Sequence, residues 1–176
     1  MDDRSRESFS LLRVRPPAQM FRHWFPTDAV AVDLFSAVES SSVAGIESAL
    51  RKAVAEGRTR AETVNVRTPN NLTALIYAAS KRQPAAVLKK LIDEGAEVNA
   101  YGGSLIEVTA LHYTTGAGDI GGTHVLLEAG ADPALPFTGP DGCTIECYEM
   151  AKNSTKPPKD PDGHAEVCRL LLEVHS

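Results

Sequence analysis

The sequence predicts an all-α fold of short helix pairs stacked in chain order, and three observations predict it. Thr73-Ala74-Leu75 recurs as Thr109-Ala110-Leu111, 36 residues on. Leu91-Ile92-Asp93-Glu94-Gly95-Ala96-Glu97 recurs as Leu126-Leu127-Glu128-Ala129-Gly130-Ala131-Asp132, 35 residues on. Between each Thr and its following Gly lie two apolar stripes at helical spacing, separated by a short break. Two short helices cannot bury their apolar faces alone, whereas stacked neighbours can.

Each element follows from its residues. Residues 1–31 form an arm with five Arg (Arg4, Arg6, Arg13, Arg15, Arg22), no Lys and a net charge of +1, which leaves -6 on residues 32–176. Pro16-Pro17 and Pro26 break any long helix there. Met20 to Phe25 concentrates large apolar groups, so the arm is expected to pack, on the domain or on a partner. From Val32, apolar residues at Val32, Leu34, Phe35 and Val38 mark one helix up to Glu39. Ser40-Ser41-Ser42 breaks it. Ile46, Ala49, Leu50, Ala53 and Val54 mark the next helix, ending near Gly57. Residues 63–72 are polar and turn-rich.

In the repeating part, Thr73 and Thr109 are placed to cap helix N-termini, their hydroxyls accepting otherwise orphan backbone N–H groups. Second helices present Val87, Leu88, Leu91 and Ile92, then Val125, Leu126 and Leu127. Gly95 and Gly130 sit where each helix ends and a positive φ is useful. Gly142-Cys143-Thr144 opens a third copy, with Thr144 as its expected cap. Its second half runs from Gly163 to Glu173. Glu173 lies 45 residues after Glu128, so this copy carries about ten extra residues, Lys152 to Asp162, with three Lys and three Pro.

Composition bounds the class. The chain has 176 residues, 43% hydrophobic and 23% charged, with a net charge of -5. These values fit a globular domain rather than a disordered chain. The acidic balance argues against broad nucleic-acid binding. In the arm, Arg13, Arg15 and Arg22 with Phe21 and Trp24 are of the types that contact phosphate and stack on bases, but their mixed charge surroundings fit a protein groove better. Three Cys make no disulfide scaffold and favour reduced thiols, hence an intracellular setting, cytoplasm or nucleus. No apolar run is long enough for a transmembrane span, and the charged start lacks the apolar core of a secretory signal.

The recurring residues resemble ankyrin repeats. The family pattern is roughly Gly-x-Thr-Pro-Leu-His-x-Ala-Ala, then Gly-His-x-x-Val-Val-x-Leu-Leu-Leu-x-x-Gly-Ala-Asp. Thr109, Leu111 and His112 match its first part, with Ala110 replacing Pro; Thr73, Leu75, Ala78 and Ala79 match in the copy before. Leu126, Leu127, Gly130, Ala131 and Asp132 match its second part, and Gly163, His164, Val167, Leu170, Leu171 and Leu172 match it again. The periodic match runs from about Asn71 to Ser176, and residues 32–70 resemble a degenerate N-terminal cap. Departures are Ile76 and Cys147 at the His position and Glu146 at a Leu position, where a buried unpaired carboxylate would be costly. No polar closing repeat follows Leu170, Leu171 and Leu172. The insertion, the arm or another protein is expected to cover that end.

The resemblance implies a solenoid with hairpin-like finger loops whose fingers and inner helices form a concave protein-binding surface. The finger segments are Asn99 to Val108 and Pro133 to Cys143. The candidate partner-binding residues are Tyr101, Leu105, Ile106, Leu135 and Phe137, with Tyr113 on an inner helix and Trp24 and Arg22 in the arm. Tyr77, Tyr113 and Tyr148 recur in near register. Two domains are expected, the arm 1–31 and the repeat domain 32–176. The function read from this is non-catalytic protein–protein recognition, as an adaptor or structural subunit in a heteromeric complex. An inhibitor occluding a partner's active surface is the alternative.

Cys143-x3-Cys147 and His164-x3-Cys168 give four possible zinc ligands, but the tight Cys-x2-Cys knuckle is absent. His112 fits a structural histidine bonded to nearby backbone or to the Thr109 hydroxyl. Gly116 to Gly122 is rich in glycine but lacks the Gly-Lys-Ser/Thr ending of a phosphate loop. No metal and no cofactor are expected, and the chain is read as a non-enzyme.

Overall fold

The computed structural model describes residues 28–104, 106–138, 144–154, 157–160 and 162–174. These residues form α1 (Ala29–Glu39), α2 (Val43–Ala55), α3 (Arg60–Val64), α4 (Ala74–Ser80), α5 (Ala85–Asp93), α6 (Ala110–Gly116), α7 (Ile120–Glu128), β1 (Phe137–Thr138), β2 (Thr144–Ile145), α8 (Cys147–Lys152) and α9 (Gly163–Val174). Helices dominate, with one ladder two residues long. Among the described residues no helix is long and apolar enough to cross a membrane.

Helix starts follow the capping residues. Asp28 accepts from Val30 N–H, Ser42 from Gly45 N–H, Thr73 from Ile76 N–H and Asp119 from Gly122 N–H. Helix ends repeat one device. Gly57, Gly95 and Gly130 have φ of 87°, 94° and 85°. In each case the residue after the glycine donates its N–H five residues back, to the carbonyls of Ala53, Leu91 and Leu126. This is the Schellman closure, and it satisfies carbonyls the helix leaves orphaned.

The helices form pairs, α1 with α2, α4 with α5, α6 with α7 and α8 with α9. The first helices pack on one another in chain order, α1 on α4, α4 on α6, α6 on α8. The second helices do the same, α2 on α5, α5 on α7, α7 on α9. The core lies between the two layers: Leu34, Phe35, Leu75, Ala78, Leu88, Leu91, Leu111, Leu126 and Leu171 are all buried. Each such Leu contributes roughly 1.5–3 kcal/mol by leaving water.

Several expectations are corrected. The helix read from Val32 begins three residues earlier, at Ala29, because Asp28 caps it. Residues 60–64, read as part of a turn-rich stretch or its approach, form α3, closed by a reciprocal capping box of Thr59 and Glu62. Thr144 does not cap the third copy. It pairs in β2, and α8 begins at Cys147 after Glu146. The spacing of first helices is therefore 36 residues and then 37, from Thr73 to Thr109 to Glu146. This shift resolves the Glu146 problem, because Glu146 falls at the exposed cap position. It also moves Tyr148 out of register with Tyr77 and Tyr113, placing Met150 there instead. In α7 only Leu126 of the expected trio is fully buried, while Val125 and Leu127 are half-buried.

Candidate interaction surface

The connections between pairs lie side by side along one edge. An asparagine ladder anchors them. Asn65 Nδ2 donates to Gly95 O (2.9 Å) and its Oδ1 accepts from Glu97 N (2.9 Å). Asn99, 34 residues later, donates to Gly130 O (3.0 Å) and accepts from Asp132 N (2.8 Å). Each asparagine thus clasps the start of the next connection.

Further contacts join the same edge. Gly102 and Val108 exchange backbone hydrogen bonds of 2.9 and 3.1 Å. A Cβ on Gly102 would lie 2.6 Å from the Asn71 carbonyl oxygen, so this close crossing requires glycine. Glu107 and Thr138 exchange two backbone bonds of 3.2 Å, tying one connection to the next. Phe137 and Thr138 pair antiparallel with Ile145 and Thr144. Among the described residues these pairings are one short ladder and single bridges, partly between neighbouring connections; projecting hairpin fingers are not evident in them.

The site residues are placed as follows. The Tyr101 hydroxyl donates to Pro136 O (3.1 Å), and the Tyr101 carbonyl accepts from Arg67 (2.6 Å). Burial raises the Tyr101 pKa, with Glu107 and Asp132 adding to it. Phe137 leans its ring on His112, with centroids 6.1 Å apart. Tyr101, Ile106, Leu135 and Phe137 therefore gather in one neighbourhood, all half-buried. Tyr113 is half-buried on α6, and burial raises its pKa. Leu105, Arg22 and Trp24 lie outside the described residues.

His112 is the buried polar residue beneath this edge. Its Nδ1 accepts from Thr109 N–H (3.1 Å) and lies 2.8 Å from Thr109 Oγ1, so His112 and Thr109 close the N-terminus of α6 reciprocally. With Nδ1 accepting, the proton of the neutral ring sits on Nε2. Nε2 is turned toward the Leu135 backbone, short of a full hydrogen bond. Burial pushes the His112 pKa down to about 4.

The same burial disfavours the thiolate at Cys147. Cys147 is fully buried, and burial pushes its thiol up to about 12, the reverse of an activated nucleophile. Burial also raises the Cys168 thiol. Cys143 lies outside the described residues. Among the described residues no group of three or more His, Cys, Asp and Glu is arranged to hold a metal ion.

A charge cluster, unread in the sequence, joins α2, α3 and α5. Glu47 lies 2.8 Å from both Arg60 and Lys90, Arg60 lies 2.8 Å from Glu94, and Lys90 also pairs with Glu94. Hydrogen bonds from Arg60, Lys90 and Arg51 hold the Glu47 carboxyl well below the usual carboxylate range.

The family model described as ankyrin repeat matches residues 70–102. That span holds the α4–α5 pair and the connection up to Gly102. No curated protein matches the chain at a significant level. The chain is thus an all-helical protein with one ankyrin-like repeat segment.

Proposed function

We propose that the chain is a non-catalytic protein-interaction module, built as an ankyrin-type solenoid of four helix pairs. The observation that carries it is the ordered stacking of α1, α4, α6 and α8 beside an edge of connections clasped by Asn65 and Asn99. That edge and the first helices make a preorganised surface, so little ordering entropy is lost when a partner binds. Its anchors are Tyr101, Ile106, Leu135, Phe137 and Tyr113. Leu105 and the arm residues Trp24 and Arg22 extend the set, with the stretch before the Asp28 cap of α1 as a separate binding arm on the repeat domain. The partner is a protein in a heteromeric complex inside the cell, and the module serves as adaptor or structural subunit.

The test is cross-link mapping of the chain captured with its partner from native cells. Cross-links concentrated on residues 99–113 and 133–138, weakened by Tyr101→Ala with helicity unchanged, support the proposal. Cross-links confined to the second-helix face, around Lys89 and Glu128, refute it. Loss of helicity in Tyr101→Ala would show that this residue is packing rather than a contact. Because Phe137 packs on His112, Ile106→Ala is the better companion variant.

A further inference from the structure

The insertion of the last copy straps the turns on the edge opposite the connections. Ser154 Oγ donates to Gly116 O (3.0 Å). Lys159 N–H donates to Ala117 O (2.7 Å), and Ile120 N–H donates to Asp160 Oδ2 (2.8 Å). A Cβ on Gly118 would fall 2.7 Å from Pro158, and one on Gly163 would fall 2.0 Å from the Gly118 carbonyl oxygen. The insertion and the α6–α7 turn are in backbone-to-backbone contact.

At the centre is a part-buried ion pair. Lys159 Nζ lies 2.8 Å from Asp119 Oδ2, and the Asp119 side chain is 3% exposed. The other Asp119 oxygen accepts from Gly122 N–H (2.9 Å) and caps α7. The same Lys159 amine donates to Gln83 O (3.0 Å), in the α4–α5 turn. Gln83 in turn donates to Glu39 O (3.2 Å) and accepts from Ser41 Oγ–H, at the α1–α2 turn. One amine closes a line across three successive turns.

The terminal pair needs such a closure. Its buried apolar side chains are Cys147, Ala151, Val167 and Leu171, a thin set of mostly small groups. The α4–α5 pair buries Ala74, Leu75, Ile76, Tyr77, Ala78, Ala79, Val87, Leu88 and Leu91. We propose that the strap is a latch: the Lys159–Asp119 pair holds α8–α9 onto the stack, and its neutralisation lets that pair open as a unit while the preceding layers stay folded. Local opening of a thinly packed unit below the global unfolding free energy is the expected behaviour of stacked repeats. Removing only the cation leaves a buried carboxylate without its counter-charge, which is far worse than removing both charges.

Amide hydrogen exchange by mass spectrometry on the full chain tests this. In Lys159→Met, protection of residues 147–152 and 163–174 is expected to fall at least about tenfold, with residues 74–93 unchanged. The double variant Lys159→Met/Asp119→Asn recovers most of that loss, because Asn still caps α7 and no charge is left buried. Uniform loss across all helices, no loss in α8–α9, or no recovery in the double variant would each overturn the latch.

Discussion

Acidification from pH 8 to pH 5 is expected to destabilise the protein through His112. This side chain is 1% exposed, its Nδ1 is committed as an acceptor to Thr109, and burial pushes its pKa down to about 4 from an ordinary 6.5. The unfolded chain takes up the proton first as pH falls. Stability contributed by the neutral ring is therefore complete above about pH 6.5, falls as pH drops, and is gone below about pH 4. Full protonation costs roughly 3 kcal/mol, and about 2 kcal/mol of that is lost by pH 5. Urea unfolding between pH 5 and 8 measures it, with His112→Gln as reference. A Gln at this helix position can still reach back to the Thr109 N–H but does not titrate. The loss from pH 8 to 5 should be about 2 kcal/mol smaller in the variant than in the natural protein. Equal pH slopes in the two would show that His112 is not buried neutral as described.

Other substitutions probe the repeat device. Asn99→Ala removes the bonds to Gly130 and Asp132 and is expected to cost about 1 kcal/mol by denaturant unfolding; no change would break the equivalence of Asn65 and Asn99. Thr123 is fully buried in α7 with a hydroxyl that has no hydrogen-bond partner, at the place Leu88 fills in α5, so Thr123→Val is expected to stabilise by about 1 kcal/mol. A drop in midpoint would contradict that. Gly163→Ala places a methyl 2.0 Å from the Gly118 carbonyl oxygen and is expected to cost roughly 1–3 kcal/mol in thermal or urea unfolding. An unchanged midpoint would mean that α9 and the α6–α7 turn do not touch.

The parts of the fold legible in the sequence are those set by local chemistry. Gly95 and Gly130 marked helix ends because a positive φ is needed there, and Thr73 and Thr109 marked starts because a hydroxyl is needed there. Thr144 misled because a capping residue type stood two residues before the true cap, in a stretch that instead pairs with Thr138. The capping box Thr59-x-x-Glu62 carried a visible signal for α3, and the 34-residue spacing of Asn65 and Asn99 carried one for the clasp. The Lys159–Asp119 pair carried none. Those residues are 40 apart, and only the path of the insertion over the α6–α7 turn brings them together. In the candidate surface, Tyr101 and Phe137, expected as partner-binding residues, each also have an intramolecular contact, with Pro136 and with His112.

The central claim is that successive helix pairs stack in register. The Asn99 side-chain amide reports on it most directly by NMR, since its hydrogen bonds run to the start of the following connection. Nuclear Overhauser effects from the Asn99 side chain to Gly130 and Asp132, matched by those from Asn65 to Gly95 and Glu97, are the expected result. Both asparagine amides exchanging freely with water, with no cross-peaks to those residues, would contradict the stack.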